Sequence, residues 1–129
     1  MVKVQLAELQ LAIMQVLWEK DEATVAEVRE ALKPDRSLAH TTVGTMLAKL
    51  EASGHVAHRT EGRVNVYRSL LEQEQVSRSM ITDLAERLFH GNVADVMCHL
   101  LDGCEVTPEE LSRLTQLIQD KERELKHDR

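Results

Sequence analysis

Between Thr41 and Tyr67 two different apolar periods follow one another, and few small folds accommodate both. Val43, Met46, Leu47 and Leu50 recur at about 100° per residue, which predicts a helix over roughly residues 39–53 with one core-facing stripe. Ser53-Gly54 supplies its stop. His55 to Thr60 and Arg63 to Arg68 then read as two strands, with Glu61-Gly62 as the turn between them. The outward side of the helix holds Thr41, Thr45, Ala48 and Lys49, with His40 at its start and Thr42 on the flank. A solvated helix face ordinarily carries paired charges, so a short-chained, hydroxyl-rich face with one lysine points to a partner.

The flanking segments complete a recognisable order. Leu6, Leu9, Ile13, Val16 and Leu17 predict a first helix over residues 5–19, closed by Trp18. Thr24-Val25-Ala26-Glu27 has the spacing of a capping box and opens a short second helix through Leu32, with Val25, Val28 and Leu32 inward and Pro34 just beyond. After Ser69 the pattern is helical throughout. Val76, Met80, Leu84 and Leu88 lie four apart in a helix near 71–89, Gly91-Asn92 interrupts it, and a short helix follows near 93–101. Thr107-Pro108-Glu109-Glu110 opens the last helix, which carries Leu111, Leu114, Leu117, Ile118 and Leu125. The only aromatic residues besides histidine are Trp18, Tyr67 and Phe89, so the core must be aliphatic, which suits packed helices.

Three helices followed by a β-hairpin describe a winged helix-turn-helix over residues 1–70, joined to an all-helical region over 71–129: a mainly α protein of two parts. In that arrangement the third helix enters the major groove of double-stranded DNA. Threonine suits the task, since its methyl touches a thymine methyl while its hydroxyl reaches a base edge or a phosphate. Candidate DNA-binding residues are therefore His40, Thr41, Thr42, Thr45 and Lys49 on the helix, with Arg59 and Arg63 on the wing, where the guanidinium fork fits phosphate oxygens. The net charge of −6 at first opposes this reading. Its distribution does not, because residues 1–70 carry nine basic and nine acidic side chains, and the whole excess lies in residues 71–129.

Sixty residues of amphipathic helix make a poor core of their own, so the second part is expected to pair with a second copy. The residues expected at that dimer interface are Met80, Leu84, Leu88, Val96, Leu100, Leu111, Leu114, Leu117 and Ile118. A competing reading keeps the winged helix but gives it a protein partner on the same helix; the polar Thr41, Thr45 and Lys49 fit that less well. No nucleophile–base pair, phosphate-cradling glycine loop or paired catalytic carboxylates stand at meaningful spacing, so no enzyme is expected.

The chain resembles the penicillinase-repressor (BlaI/MecI/CopY) family of bacterial transcription regulators. Glu8, Ile13-Met14 and Leu17-Trp18-Glu19 carry the likeness, followed by Thr42-Val43, Thr45, Leu47, Lys49-Leu50, Gly54, Gly62-Arg63 and Tyr67. Phe89-His90-Gly91-Asn92 and Thr107-Pro108-Glu109-Glu110-Leu111 extend it more loosely into the second half. The resemblance implies a dimeric winged-helix repressor on a palindromic operator, a link to antibiotic resistance, and a regulatory protease as a further partner. Two family features are missing. The Asn-Phe cleavage bond of the antibiotic-responsive members is replaced by Cys98-His99-Leu100-Leu101, and the C-terminal Cys-x-Cys hooks of the copper-responsive members do not occur.

The remaining features receive plain readings. Cys98 and Cys104 are too few for a disulfide scaffold and read as buried apolar thiols. With His90 and His99 they invite a metal, but Cys98 and His99 are adjacent on a helix and point about 100° apart, so neither metal nor other cofactor is expected. No stretch resembles an export signal and no apolar run approaches the ~20 residues of a membrane span, which makes a soluble cytoplasmic protein the expectation. Gly44, inside the third helix, costs about 1 kcal/mol relative to alanine and calls for either a close neighbour or tolerance of the loss.

Overall fold

The order of elements in the computed structural model is α1 (Glu8–Lys20), β1 (Glu22–Thr24), α2 (Val25–Leu32), α3 (His40–Ala52), β2 (Val56–Glu61), β3 (Val64–Ser69), α4 (Gln73–Phe89), α5 (Val93–Gly103) and α6 (Pro108–His127). The structure describes residue 4 and residues 6–127; residue 5, where the first helix was expected to begin, lies outside them. The chain divides into two compact units, residues 1–83 and 84–129.

In the first unit, α1, α2 and α3 close around one aliphatic core. Ile13, Met14 and Leu17 of α1, Val28 and Leu32 of α2, and Val43, Leu47 and Leu50 of α3 are all buried in it. Each fully buried leucine there contributes about 1.5–3 kcal/mol over an exposed one. Val56 and Tyr67 seal the side facing the sheet. The expected capping box at α2 is present: the Glu27 N–H donates to Thr24 Oγ1 at 3.1 Å, and the Thr24 N–H donates back to Glu27 Oε1 at 2.9 Å. The link from α2 to α3 is tied down by Arg29, whose Nε donates to the Leu38 carbonyl at 2.8 Å.

The hairpin arrives with a third strand that the sequence pattern did not show. β1 pairs antiparallel with β3 through Glu22↔Arg68, Ala23↔Tyr67 and Thr24↔Val66, giving the order β1-β3-β2. Asp21 turns the chain into it at φ 70°. The turn of the wing is Gly62-Arg63 rather than Glu61-Gly62, because Glu61 still pairs with Val64. Gly62 takes φ 64° at the first central position, which favours glycine there.

The compact unit runs past the expected boundary at residue 70. Trp18 Nε1 donates to the Leu71 carbonyl at 2.8 Å and to Ser69 Oγ at 3.1 Å, pinning the exit of β3 to α1. Ser79, buried on α4, accepts from the Val4 N–H at 2.8 Å and donates to the Val4 carbonyl at 3.3 Å. Val4, Leu6 and Val76 join the same core, so the first half of α4 belongs to this unit.

The second unit has the expected helices. α4 ends at a positive-φ pair, His90 at 52° and Gly91 at 78°. Asn92 caps α5 by accepting from the Asp95 N–H at 3.0 Å, and Thr107 caps α6 by accepting from the Glu110 N–H at 3.1 Å. No residue of α5 or α6 is buried.

The cap at α2 carries a pH signature. The Thr24 backbone bond, then its hydroxyl, hold the Glu27 carboxyl below its usual value of 4.5. A carboxyl depressed on folding stabilises above its unfolded value and loses that contribution as pH falls through its folded one. In urea titrations the wild type is expected to exceed Glu27→Gln in unfolding free energy at neutral pH. The difference should shrink to nothing as pH is taken well below 4.5; a difference independent of pH would refute this account of the cap.

Candidate nucleic-acid interface

Burial of Val43, Leu47 and Leu50 fixes the rotation of α3, and Met46 is only partly buried beside them. The opposite face is thereby set: His40, Thr41, Thr42, Thr45, Ala48 and Lys49 are all exposed. Its hydroxyls are available. Thr24, Thr60, Thr107 and Thr115 spend theirs on internal bonds. Among the described residues, Thr41, Thr42 and Thr45 make no side-chain hydrogen bond, and Lys49 makes no ion pair. The N-terminus of α3 is equally open, with Ala39 at the cap providing no side-chain acceptor and no acidic residue in the first turn. Free amides and an uncompensated dipole there suit an anion.

Gly54, at φ 80°, ends α3 in a Schellman turn: the His55 N–H donates to the Leu50 carbonyl at 2.9 Å and the Gly54 N–H to the Glu51 carbonyl at 3.0 Å. This turn delivers the chain directly into the wing. The closing strand pair is reinforced by Thr60 Oγ1 donating to Asn65 Oδ1 at 3.2 Å.

The two wing arginines are in different situations. Arg63 sits at the turn, exposed, with no hydrogen bond or ion pair among the described residues. Arg59 is held between Glu61, beside it on β2, and Glu22 Oε1 on β1 at 2.8 Å. These carboxylates, Glu61 foremost, raise its already high pKa further. The sequence pattern gave no sign of this clamp, because Glu22 approaches only once β1 has paired with β3. Among the described residues Arg63 is thus an unpaired cation, whereas the charge of Arg59 is already matched by two carboxylates.

The expected interface residues of the second half also divide. Met80 is half-buried against the core of the first unit. Leu84, Leu88, Leu100, Leu111, Leu117 and Ile118 are exposed, from 45% for Leu111 to 65% for Leu88. Val96 and Leu114 are partly covered. Cys98 and Cys104 are both exposed, contrary to the expectation of buried thiols, because α5 buries none of its residues. Cys98 Sγ lies 3.8 Å from Asp102 Oδ2, and the rings of Phe89 and His99 meet edge-on at 5.0 Å. Among the described residues no three His, Cys, Asp or Glu side chains converge as metal ligands. None of the described helices is long and apolar enough to cross a membrane.

A three-helix core with a hydroxyl-bearing third helix and a basic-tipped hairpin defines a winged helix-turn-helix, a DNA-binding class. The sequence pattern of the penicillinase repressor family matches residues 6–120, and the chain belongs to that family of transcriptional repressors, which are not enzymes. The penicillinase repressor of Bacillus licheniformis is 24% identical over 116 residues, covering 90% of this chain and 91% of that one. The transcriptional regulator BlaI of Mycobacterium tuberculosis is 30% identical over 100 residues, covering 76% of this chain and 72% of its own. In structure, the DNA binding domain of the repressor BlaI superposes with a TM-score of 0.50 at 29% identity, over 57% of this chain and 93% of that domain. A MarR family protein from Bacillus stearothermophilus shares the fold, with a TM-score of 0.50 at 20% identity over 95% of this chain and 77% of its own.

Among the described residues Gly44 has no close neighbour: a Cβ built on it meets nothing within 4 Å. The helix simply carries the cost. Gly44→Ala is therefore expected to raise the unfolding free energy by about 0.5–1 kcal/mol, the usual penalty for glycine inside a helix. Chemical denaturation measures it, and a destabilised variant would show that something crowds this position.

Proposed function

We propose that this protein is a homodimeric, sequence-specific repressor that occludes a palindromic operator in double-stranded DNA. The observation that carries the reading is the exposed face of α3, where among the described residues Thr41, Thr42 and Thr45 have uncommitted hydroxyls and Lys49 an unpaired charge, together with the likewise unpaired Arg63 at the tip of the wing. The likeness to the DNA binding domain of the repressor BlaI supports it from outside the chain. In this reading residues 1–70 bind DNA and residues 71–129 dimerise, with Met80 serving the first unit's core instead of the interface. Thr41, Thr45 and Lys49 read base edges, Thr42 and His40 lie at the border, and Arg63 holds the backbone. Arg59 joins the backbone contact only by giving up Glu22 or Glu61. The protein works in the cytoplasm, where its operator is.

Dimerisation is supported by the apolar side chains left in water on the second unit. Soluble monomers rarely expose contiguous apolar patches of more than a few hundred Å². Two copies joined there present two recognition helices to successive major grooves, which matches a two-fold symmetric site. In this reading an unidentified signal releases the repressor from its operator.

The two kinds of contact separate experimentally. Arg63→Ala is expected to weaken binding to every duplex alike and to lower the slope of log affinity against log salt by about one. Thr45→Ala is expected to lower the ratio of operator to random-DNA affinity by roughly 1–3 kcal/mol, with little change in that slope. Fluorescence anisotropy across a salt series, on duplexes selected from a random pool, reads both; an unchanged slope for Arg63→Ala or an undiminished ratio for Thr45→Ala removes that residue from the interface.

Oligomeric state tests the other half. Sedimentation equilibrium of the full chain is expected to give a dimer, and Leu117→Asp, placing a charge on an exposed apolar site, a folded monomer. A wild type that sediments as a monomer at tens of micromolar would sink the dimer.

A further inference from the structure

The last turn of α3 carries an acidic residue where helix electrostatics disfavour one. Glu51 is the next-to-last residue of α3, at the negative end of the helix dipole. Its partner accounts for it. His58, on β2, places Nδ1 at 2.7 Å from Glu51 Oε2 and 2.8 Å from Oε1. The His58 backbone N–H also donates to Glu51 Oε2 at 3.2 Å. The imidazole also meets the ring of the buried Tyr67 of β3, with ring centroids 5.3 Å apart. One carboxylate therefore grips both the side chain and the main chain of the first wing strand from the end of the recognition helix.

The geometry points to Glu51 as a positioning residue for DNA binding: through His58 it sets the angle between the recognition helix and the wing. This inference rests on the DNA-binding reading above. A winged helix must seat α3 in the groove and Arg63 on the backbone at once, and a small error in their relative placement loses one of the two contacts. Other links at this corner are the Schellman turn, a local device that fixes where the chain leaves α3, the Leu70 N–H donating to the His55 carbonyl at 2.9 Å, and the burial of Val56. The hairpin leaves this corner along β2, and the latch grips β2 two residues further out than Val56. Glu51 and Glu61 are the two acidic residues between Arg36 and Arg68, and the fold occupies both, Glu51 with His58 and Glu61 with Arg59. Both carboxylates are thus already engaged within the protein.

A double-mutant cycle in the full-length protein tests this, using a duplex selected by the wild type from a random-sequence pool and a scrambled duplex of equal length. Glu51→Ala is expected to lower affinity for the selected duplex about three- to tenfold, and Arg63→Ala to cost less in that background than alone, since a misplaced wing has less contact to lose. Glu51→Gln keeps an acceptor for His58 and is expected to fall between. In the free protein, amide exchange over residues 56–69 should quicken in Glu51→Ala while α1 and α2 stay protected. Strict additivity with Arg63→Ala overturns the inference, as does equal tightening by both Glu51 variants, which would mean that only the charge mattered. A wild type that selects no duplex defeats the DNA reading instead; amide exchange then decides the latch, and unchanged wing exchange refutes it.

Discussion

Everything on the exposed face of α3 depends on the burial of one stripe. Val43, Leu47 and Leu50 are completely enclosed by α1, α2 and the sheet. A helix has one rotation about its axis that achieves this, and in that rotation Thr41, Thr45 and Lys49 must face outward. Stability and the orientation of the proposed recognition face are therefore set by the same few aliphatic contacts. With only three aromatic residues besides histidine, the core is filled by branched and unbranched aliphatic chains, and the indole N–H of Trp18 and the ring of Tyr67 are turned to local use. Trp18 fastens the exit of the wing to α1, and Tyr67 supports the imidazole that reaches Glu51.

Electrostatics then operates at short range. A chain of net charge −6 is an improbable partner for a polyanion when judged by its total. Charges beyond a Debye length of ~8 Å count for little at physiological salt, so the local arrangement governs. In the wing, each carboxylate is matched to a cationic or hydrogen-bonding neighbour, and Arg63 is left without one among the described residues. Arg59 shows how a basic residue in a basic segment can be committed internally: its guanidinium spans from β2 to β1 and serves the sheet before it serves any ligand.

The second unit poses the opposite problem. Its helices are capped as their sequences require, by Asn92 and Thr107, yet they enclose no core. Leu88, Leu117 and Ile118 are more than half exposed. Local signals suffice to start and stop a helix, but burial needs a second surface, and about fifty residues of helix cannot supply it alone. The proposed dimer would supply that surface from a second copy.

What could be read from residue order was what depends on neighbours in the chain. The three core helices, the caps at Thr24 and Thr107, the stop at Gly54 and the hydroxyl face of α3 all follow from spacings of three and four residues, because helix geometry is local. The hairpin was visible for the same reason, though its turn fell one residue later, at Gly62-Arg63, since the last pair of the ladder is decided by register. The pairings that shape the site are long-range. β1 is three residues long and acquires strand character only from β3, more than forty residues on. Arg59 meets Glu22, His58 meets Glu51 and Ser79 meets Val4 only after the helices and sheet have packed. Periodicity thus fixed which residues face outward, and tertiary packing decided which of them remain free to bind.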